Sequence, residues 1–414
     1  MKRRSWEGTL CAVNAGIAIA LAVKLGQHLG SPAALGATDF VALRTGWWLA
    51  LADPRRLYDV ASQASVERAI QLGFGSSGFV GGLLAYLHPP HLALAGSGFE
   101  WLAERWNGPA GFYLWTAGNL ALAVQLVRLL RAELGASPRE TFFVAVMLAG
   151  FFPLFDTLRQ GQLSLLLAVS ILGFINAVRG RRPLAAAAYL LIMSCKPQIL
   201  PAPLIVLLWR RERRVLAAAI ALGLGAALLT AAVLGPRVWI DYATHVRALD
   251  RLFGGSPARM PALHGLLARL LPAGRQTAVE TFALVGWLVA LATVAGVVAR
   301  RRRLEQDDLR VDFAFAFAAG FLTSPHFYPH DLLLWIAPVV LILAVSRAEP
   351  ARWRHRVRLV LAWPIWLVIA QVADGDGARL PVDLALVPLI IVSVWTARAA
   401  VGRAPVFSDR LPPA

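Results

Sequence analysis

The feature that most constrains this chain is the recurrence of long apolar runs closed by clusters of arginine. The clusters are Arg179/Arg181/Arg182, Arg210/Arg211/Arg213/Arg214, Arg300 to Arg303, and Arg352/Arg354/Arg356/Arg358. With 58% hydrophobic and 16% charged residues over 414 positions, too little polar surface remains to wrap a water-soluble fold of this size. The solvent is therefore lipid, and the fold class expected is an all-α polytopic membrane protein, because a helix satisfies its own backbone in hydrocarbon. The formal charge of +17 is almost wholly arginine. Its placement at the ends of apolar runs follows the positive-inside rule and argues against a nucleic-acid groove. Cys11 and Cys195 both fall in or beside apolar runs, which leaves no disulfide framework and no CxxC metal site.

Taking the arginine-rich ends as cytoplasmic, about twelve transmembrane helices are expected, near 8–29, 109–131, 141–157, 162–178, 184–195, 198–209, 215–234, 280–299, 311–323, 331–346, 357–372 and 382–398. Both termini then lie inside, residues 1–403 form a single transmembrane domain, and 404–414 form a cytoplasmic tail. The start Met-Lys-Arg-Arg-Ser, followed by an apolar run, reads as an uncleaved first span and not as a signal peptide. The segments 184–195 and 198–209 are too short for two full crossings at about 1.5 Å per residue, so half-depth or tilted helices broken at Lys196-Pro197 are expected. A first outer loop covers 30–108, with a re-entrant or juxtamembrane element over 83–103, and a second outer loop covers 235–279.

Ionisable groups at membrane depth cost about 2.5–3.5 kcal/mol each at a helix centre, so each needs a reason. Here they gather at the outer ends of separate spans: Asp39, Asp156, Arg159 with Gln160 and Gln162, Lys196, and the run Ser324 to Asp331. Asp39 fits either a carboxylate that takes a proton from a hydroxyl or the N-cap of a helix on the membrane surface. Arg159 suits a phosphate through bidentate contacts, or else pairs with Asp156. Lys196 suits a phosphate as a point charge, or a buried pairing with Asp156 or Asp331. His326 and His330 have the spacing of a metal pair, but Pro325 and Pro329 interrupt the helix it would need, so no metal is expected and either imidazole is free to donate to phosphate. Asp53, ahead of Pro54, reads first as a turn residue, and Tyr58 as either a cavity wall or an interfacial anchor. His88 stands in the His88-Pro89-Pro90-His91 element.

These residues, in this order, resemble a GT-C superfamily glycosyltransferase, and specifically the bacterial polyprenyl-phosphate-mannose-dependent mannosyltransferases (glycosyltransferase family 87-like), to which the phosphatidylinositol mannoside mannosyltransferases belong. The matching elements are Asp39-Phe40, Asp53-Pro54 with Leu57-Tyr58, Tyr86 to Pro90, Arg159-Gln160-Gly161-Gln162, Cys195-Lys196-Pro197-Gln198, and Ser324-Pro325 through His330-Asp331. The resemblance implies juxtamembrane helices in the first outer loop over a lipid-open cavity. It implies Asp39 as catalytic base with His330 close to the reacting centre, and Arg159, Gln162 and Lys196 on the donor phosphate, with His326 available to it. Asp53, Tyr58 and His88 would line the substrate cavity. The function so implied is inverting transfer of a hexose, mannose on the resemblance, from a polyprenyl-phosphate donor to a lipid or glycan acceptor on the outer face of the cytoplasmic membrane. No cofactor is implied, the lipid-linked sugar being a substrate. The chain departs from the commoner pattern at Arg55-Arg56 and in the Gly-rich run Gly73 to Gly82. A transporter or flippase of an anionic or sugar-linked lipid would use the same cationic cavity without chemistry.

Overall fold

The computed structural model describes residues 5–75, 83–103, 108–253, 257–272, 274–373 and 380–402. The stretch 76–82 of the Gly-rich run and the tail expected over 404–414 lie outside these residues. All regular structure among the described residues is helical: α1 (Ser5–Leu29), α2 (Pro32–Leu35), α3 (Asp39–Ala52), α4 (Val60–Gly73), α5 (Pro90–Ala103), α6 (Gly108–Leu134), α7 (Pro138–Ala149), α8 (Phe152–Gln160), α9 (Ser164–Arg179) and α10 (Pro183–Met193). The chain continues through α11 (Pro201–Arg210), α12 (Arg213–Leu234), α13 (Val238–Phe253), α14 (Leu263–Leu270), α15 (Gln276–Arg303), α16 (Leu309–Thr323), α17 (Ile336–Ser346), α18 (Pro350–Ala373) and α19 (Leu380–Val401).

Among the described residues, five helices are long and apolar enough to cross a membrane alone: Gly8–Leu29, Pro109–Leu134, Arg213–Leu234, Gln276–Arg303, and Pro329–Ser346, which joins a 3₁₀ segment to α17. About twelve were expected from hydropathy, and three of those expected spans are interrupted for local reasons. The expected span 141–157 is two helices, α7 and α8, bent by 56°. Gly150 ends the first, and Pro153 restarts the second within its first turn. The expected pair 184–195 and 198–209 is broken where the sequence indicates: α10 stops at Met193, a 3₁₀ turn spans Pro197–Ile199, and α11 starts at Pro201.

α9 is the centre of the bundle, buried at almost every position from Ser164 to Val178, which is why its sequence is apolar all round. α6, α10 and α17 pack on it. By contrast α12 and α15 keep rows of exposed large hydrophobics, Ile220, Leu224 and Leu228 on one, Leu284, Leu288 and Val289 on the other, as lipid-facing helices do.

Between α1 and α6 the described residues fold into the short α2 and the three longer helices α3, α4 and α5, which cover one end of the bundle, with α3 packed against both α4 and α5. Arg44 of α3 and Glu100 of α5 hold that pair together through a buried bidentate contact, Nε reaching Oε2 at 2.9 Å and Oε1 at 3.2 Å. The element expected over 83–103 is a stretch without regular secondary structure, 83–89, followed by α5.

Candidate active site

Four breaks in regular structure meet at the end of the bundle beneath α3 to α5: the start of α3, the α8–α9 turn, the α10–α11 break, and the stretch after α16. Asp39 opens α3, but Thr38 occupies the N-cap position. The capping reading of Asp39 is therefore corrected. Its carboxylate turns instead to the α8–α9 turn, where Gln162 Nε2 donates a short hydrogen bond to Asp39 Oδ2. Among the described residues, Asp39 Oδ1 has no hydrogen-bond partner.

The turn that delivers Gln162 depends on Gly161, which sits at φ +67 with its missing Cβ aimed at the Cβ of Phe40, 2.6 Å away. Any other residue would be strained there and would push α3 off. Trp115 Nε1 fastens the same turn by donating to the Gly161 carbonyl at 2.9 Å. Adjacent residues Phe40 and Gly161 thus bring a carboxylate and a carboxamide together from distant parts of the chain.

Two residues past Gln162, Ser164 Oγ donates to Asp331 Oδ1 at 2.8 Å, and Lys196 Nζ reaches the same oxygen at 2.5 Å. The backbone N–H of Tyr328 donates to Asp331 Oδ2 at 3.2 Å. Lys196 and Asp331 are both buried. The pairing of Lys196 left open by the sequence is thus with Asp331 and not Asp156. Asp156 is held instead by Arg159, whose Nη2 lies 2.7 Å from its Oδ1. His330 stands between the two carboxylates, Nδ1 4.0 Å from Asp156 Oδ2 and Nε2 3.7 Å from Asp331 Oδ1, too far for hydrogen bonds. Its ring stacks on Tyr328, and Tyr328 meets His326 edge-on. Gln198 Nε2 donates to the His326 carbonyl at 3.2 Å, tying this run to the Lys196 break.

On the far side of Lys196, the His88 Nδ1–H donates to the Cys195 carbonyl at 3.3 Å, and Tyr58 OH donates to the His88 carbonyl at 2.8 Å. Burial first, and then the Lys196 ammonium, hold the His88 pKa down at about 4, so its imidazole is neutral at ordinary pH. Burial likewise raises Tyr58, which stays a donor. Asp53 is not brought to this cluster: it caps the C-terminal end of α3 and pairs with exposed Arg56, 3.4 Å away.

The site therefore holds two sets of contacts, Asp39 with Gln162 and Ser164 with Asp331 and Lys196, joined by the chain between Gln162 and Ser164, with Asp156, Arg159 and His330 alongside. Sequence reading missed Ser164, whose signal was its position just after the Gly161 turn at the start of a buried helix. It also treated Arg210 and Arg301 only as topology markers, whereas both are buried against Asp312, at 2.5 and 2.7 Å.

A buried acid and cation network thus lies at one end of a helical, membrane-type bundle, and comparison with known families decides the class of protein. The family model described as Glycosyltransferase family 87 matches residues 86–325, more than half of the chain. The chain belongs to that family, a GT-C type family of glycosyltransferases. No curated protein and no solved structure matches it. The matched residues include His88, Arg159, Gln162 and Lys196, while Asp39, His326 and His330 lie outside them and join the site through tertiary contacts.

Proposed function

We propose that the protein is an inverting glycosyltransferase that moves a hexosyl group, mannosyl on the family resemblance, from a polyprenyl-phosphate donor to a hydroxyl of a lipid or glycan acceptor. The reaction takes place at the outer face of the cytoplasmic membrane, in a chain of about twelve spans with both termini inside. The observation that carries the reading is the Asp39–Gln162 hydrogen bond and, two residues further along the chain from Gln162, the Ser164–Asp331–Lys196 series: one carboxylate with an oxygen unpartnered among the described residues, and one cation anchored by a carboxylate.

In this mechanism Gln162 holds Asp39 Oδ2, which leaves Oδ1 to take the acceptor's hydroxyl proton. The acceptor oxygen bonds to the anomeric carbon from the face opposite the phosphate. The bond from that carbon to the phosphate oxygen breaks, the electron pair leaves with polyprenyl phosphate, and configuration inverts with a single carboxylate. Lys196 spends one of its three N–H groups on Asp331, which leaves two for phosphate oxygens. Arg159, whose side chain is 37% exposed, presents the rest of its guanidinium fork to the same group. Cations fixed in place before the reaction stabilise the charge that develops on the leaving oxygen. His330 is assigned to the reacting centre, His326 to the phosphate, and Tyr58 and His88 to the cavity wall behind Lys196.

Purified protein incubated separately with polyprenyl-phosphate mannose, glucose and arabinose, each with membrane lipid acceptors, is expected to release polyprenyl phosphate from one of them. Release from none overturns the reading. Asp39→Asn separates transferase from transporter: a transferase loses sugar transfer while still binding donor, and parental transfer by that variant rejects Asp39 as the base.

A further inference from the structure

α4 carries Gln63, Glu67 and Gln71 at four-residue spacing, and all three are fully buried, although nothing in the mechanism above uses them. Gln71 donates to Glu67 Oε1 at 3.3 Å, and the partner of Glu67 and Gln63 is the segment 84–88 that leads to His88. Leu84 N–H donates to both oxygens of Glu67, at 3.1 and 3.0 Å, and Tyr86 N–H donates to Gln63 Oε1 at 3.0 Å. The fit is geometric. Four residues of helix rise about 6 Å and two residues of extended chain span about 6.6 Å, so successive turns of α4 meet alternate N–H groups of a segment that runs antiparallel to it. Gln63 also donates through Nε2 to the Leu57 carbonyl at 2.8 Å and meets His245 Nε2 at 3.4 Å, which fixes the orientation of its amide.

The segment so held passes close over α3, where a Cβ on Gly46 would stand 2.3 Å from the Tyr86 ring, and ends on the α10–α11 break. There Ile199 N–H donates to the Lys196 carbonyl, so the Cys195 carbonyl is left without a partner from its own helix, and His88 supplies one.

We infer that Gln63 and Glu67 are positioning residues for the Lys196 cation: α4 acts as a hydrogen-bonding template for the segment 84–88, which carries His88 to the Cys195 carbonyl and so fixes where Lys196 presents its charge. This rests on the assignment of Lys196 to the donor phosphate. Neither residue touches substrate; each acts through the segment.

The test is steady-state kinetics of full-length protein in lipid nanodiscs, with donor and acceptor varied independently and melting temperature measured on the same samples. Gln63→Met, which removes the Tyr86 and Leu57 bonds at nearly constant shape, is expected to raise the donor KM about tenfold, the scale of one lost hydrogen bond. Acceptor KM and kcat should change less than about twofold. Glu67→Leu should behave in the same way, whereas Glu67→Gln, which keeps an oxygen for Leu84 N–H, should return donor KM to near the parental value. Equal changes in both KM values, a loss confined to kcat, or parental donor KM in folded Gln63→Met and Glu67→Leu overturns the inference. Lys196→Met runs alongside. A donor KM insensitive to Lys196 removes the phosphate assignment and this inference with it, while a donor KM sensitive to Lys196 but not to Gln63 or Glu67 removes the inference alone.

Discussion

The two ends of α16 bury charge in opposite ways. At its N-terminal end Asp312 is shared by Arg210 and Arg301, which also reach Gln306 and the carbonyls of Ala399 and Ala400, so nearly every donor and acceptor is used within the protein. Beyond its C-terminal end, about 18 Å away along the helix, Asp331 is equally saturated, but Lys196 keeps two N–H groups in hand and Asp39 keeps an oxygen. One cluster is closed on itself, as a staple between α11, α15, α16 and α19 should be. The other holds Lys196 and Asp39 by one contact each and leaves their remaining valences without a protein partner among the described residues. Burial of charge does not by itself mark a site; incomplete pairing within a rigid frame does.

That contrast breaks first at Asp39. Asp39→Asn should lower turnover by about 10²–10⁴-fold, the range of a lost general base, with the melting temperature unchanged, because the residue has one hydrogen bond and no ion pair. Asp312→Leu should do the reverse. It strands two buried arginines, a loss of about 3–5 kcal/mol, read as a fall in melting temperature, while sugar transfer per folded molecule stays parental. If Asp312→Leu instead abolishes transfer in folded protein, the two ends are not independent and the contrast fails.

Lys196→Met falls between these, since it removes a donor contact and also strands Asp331. Donor KM should rise about a hundredfold, as expected for a charged group on phosphate, together with a lower melting temperature. Adding Asp331→Asn should recover much of the stability and none of the donor affinity, a split that a purely structural ion pair would not give. The smallest effect concerns Glu67. Burial raises its pKa from 4.5 to about 7 in the folded protein, opposed only by the Leu84 N–H bond. A raised acid stabilises the fold below its unfolded pKa and loses that contribution as pH climbs through the folded one. Melting temperature should therefore fall between about pH 4.5 and 7 in the parent, and Glu67→Gln should flatten that slope while leaving the Asp312 cluster untouched.

Much of the site was legible because its residues are chemically out of place. Lys196, Asp331, Arg159 and Asp39 stand out in apolar sequence, and Pro197 and Gly161 mark where the backbone must break or turn. Gln63 and Glu67 were not legible in the same way. A polar face on a short helix reads as a solvated one until the segment 84–88 is seen lying along it. Arg301 was masked differently, by standing in a run of four arginines of which it is the one buried against Asp312.

The sequence by itself determined the solvent, the helical class and the identity of the out-of-place polar groups, because those follow from composition and from local backbone rules that act over a few residues. Only the tertiary structure decided the pairings: that Lys196 meets Asp331 and not Asp156, and that Asp39 meets Gln162. Those outcomes depend on which helix ends come to lie together, and that is set by packing around α9 among residues far apart in the chain, where local sequence carries no record of the partner.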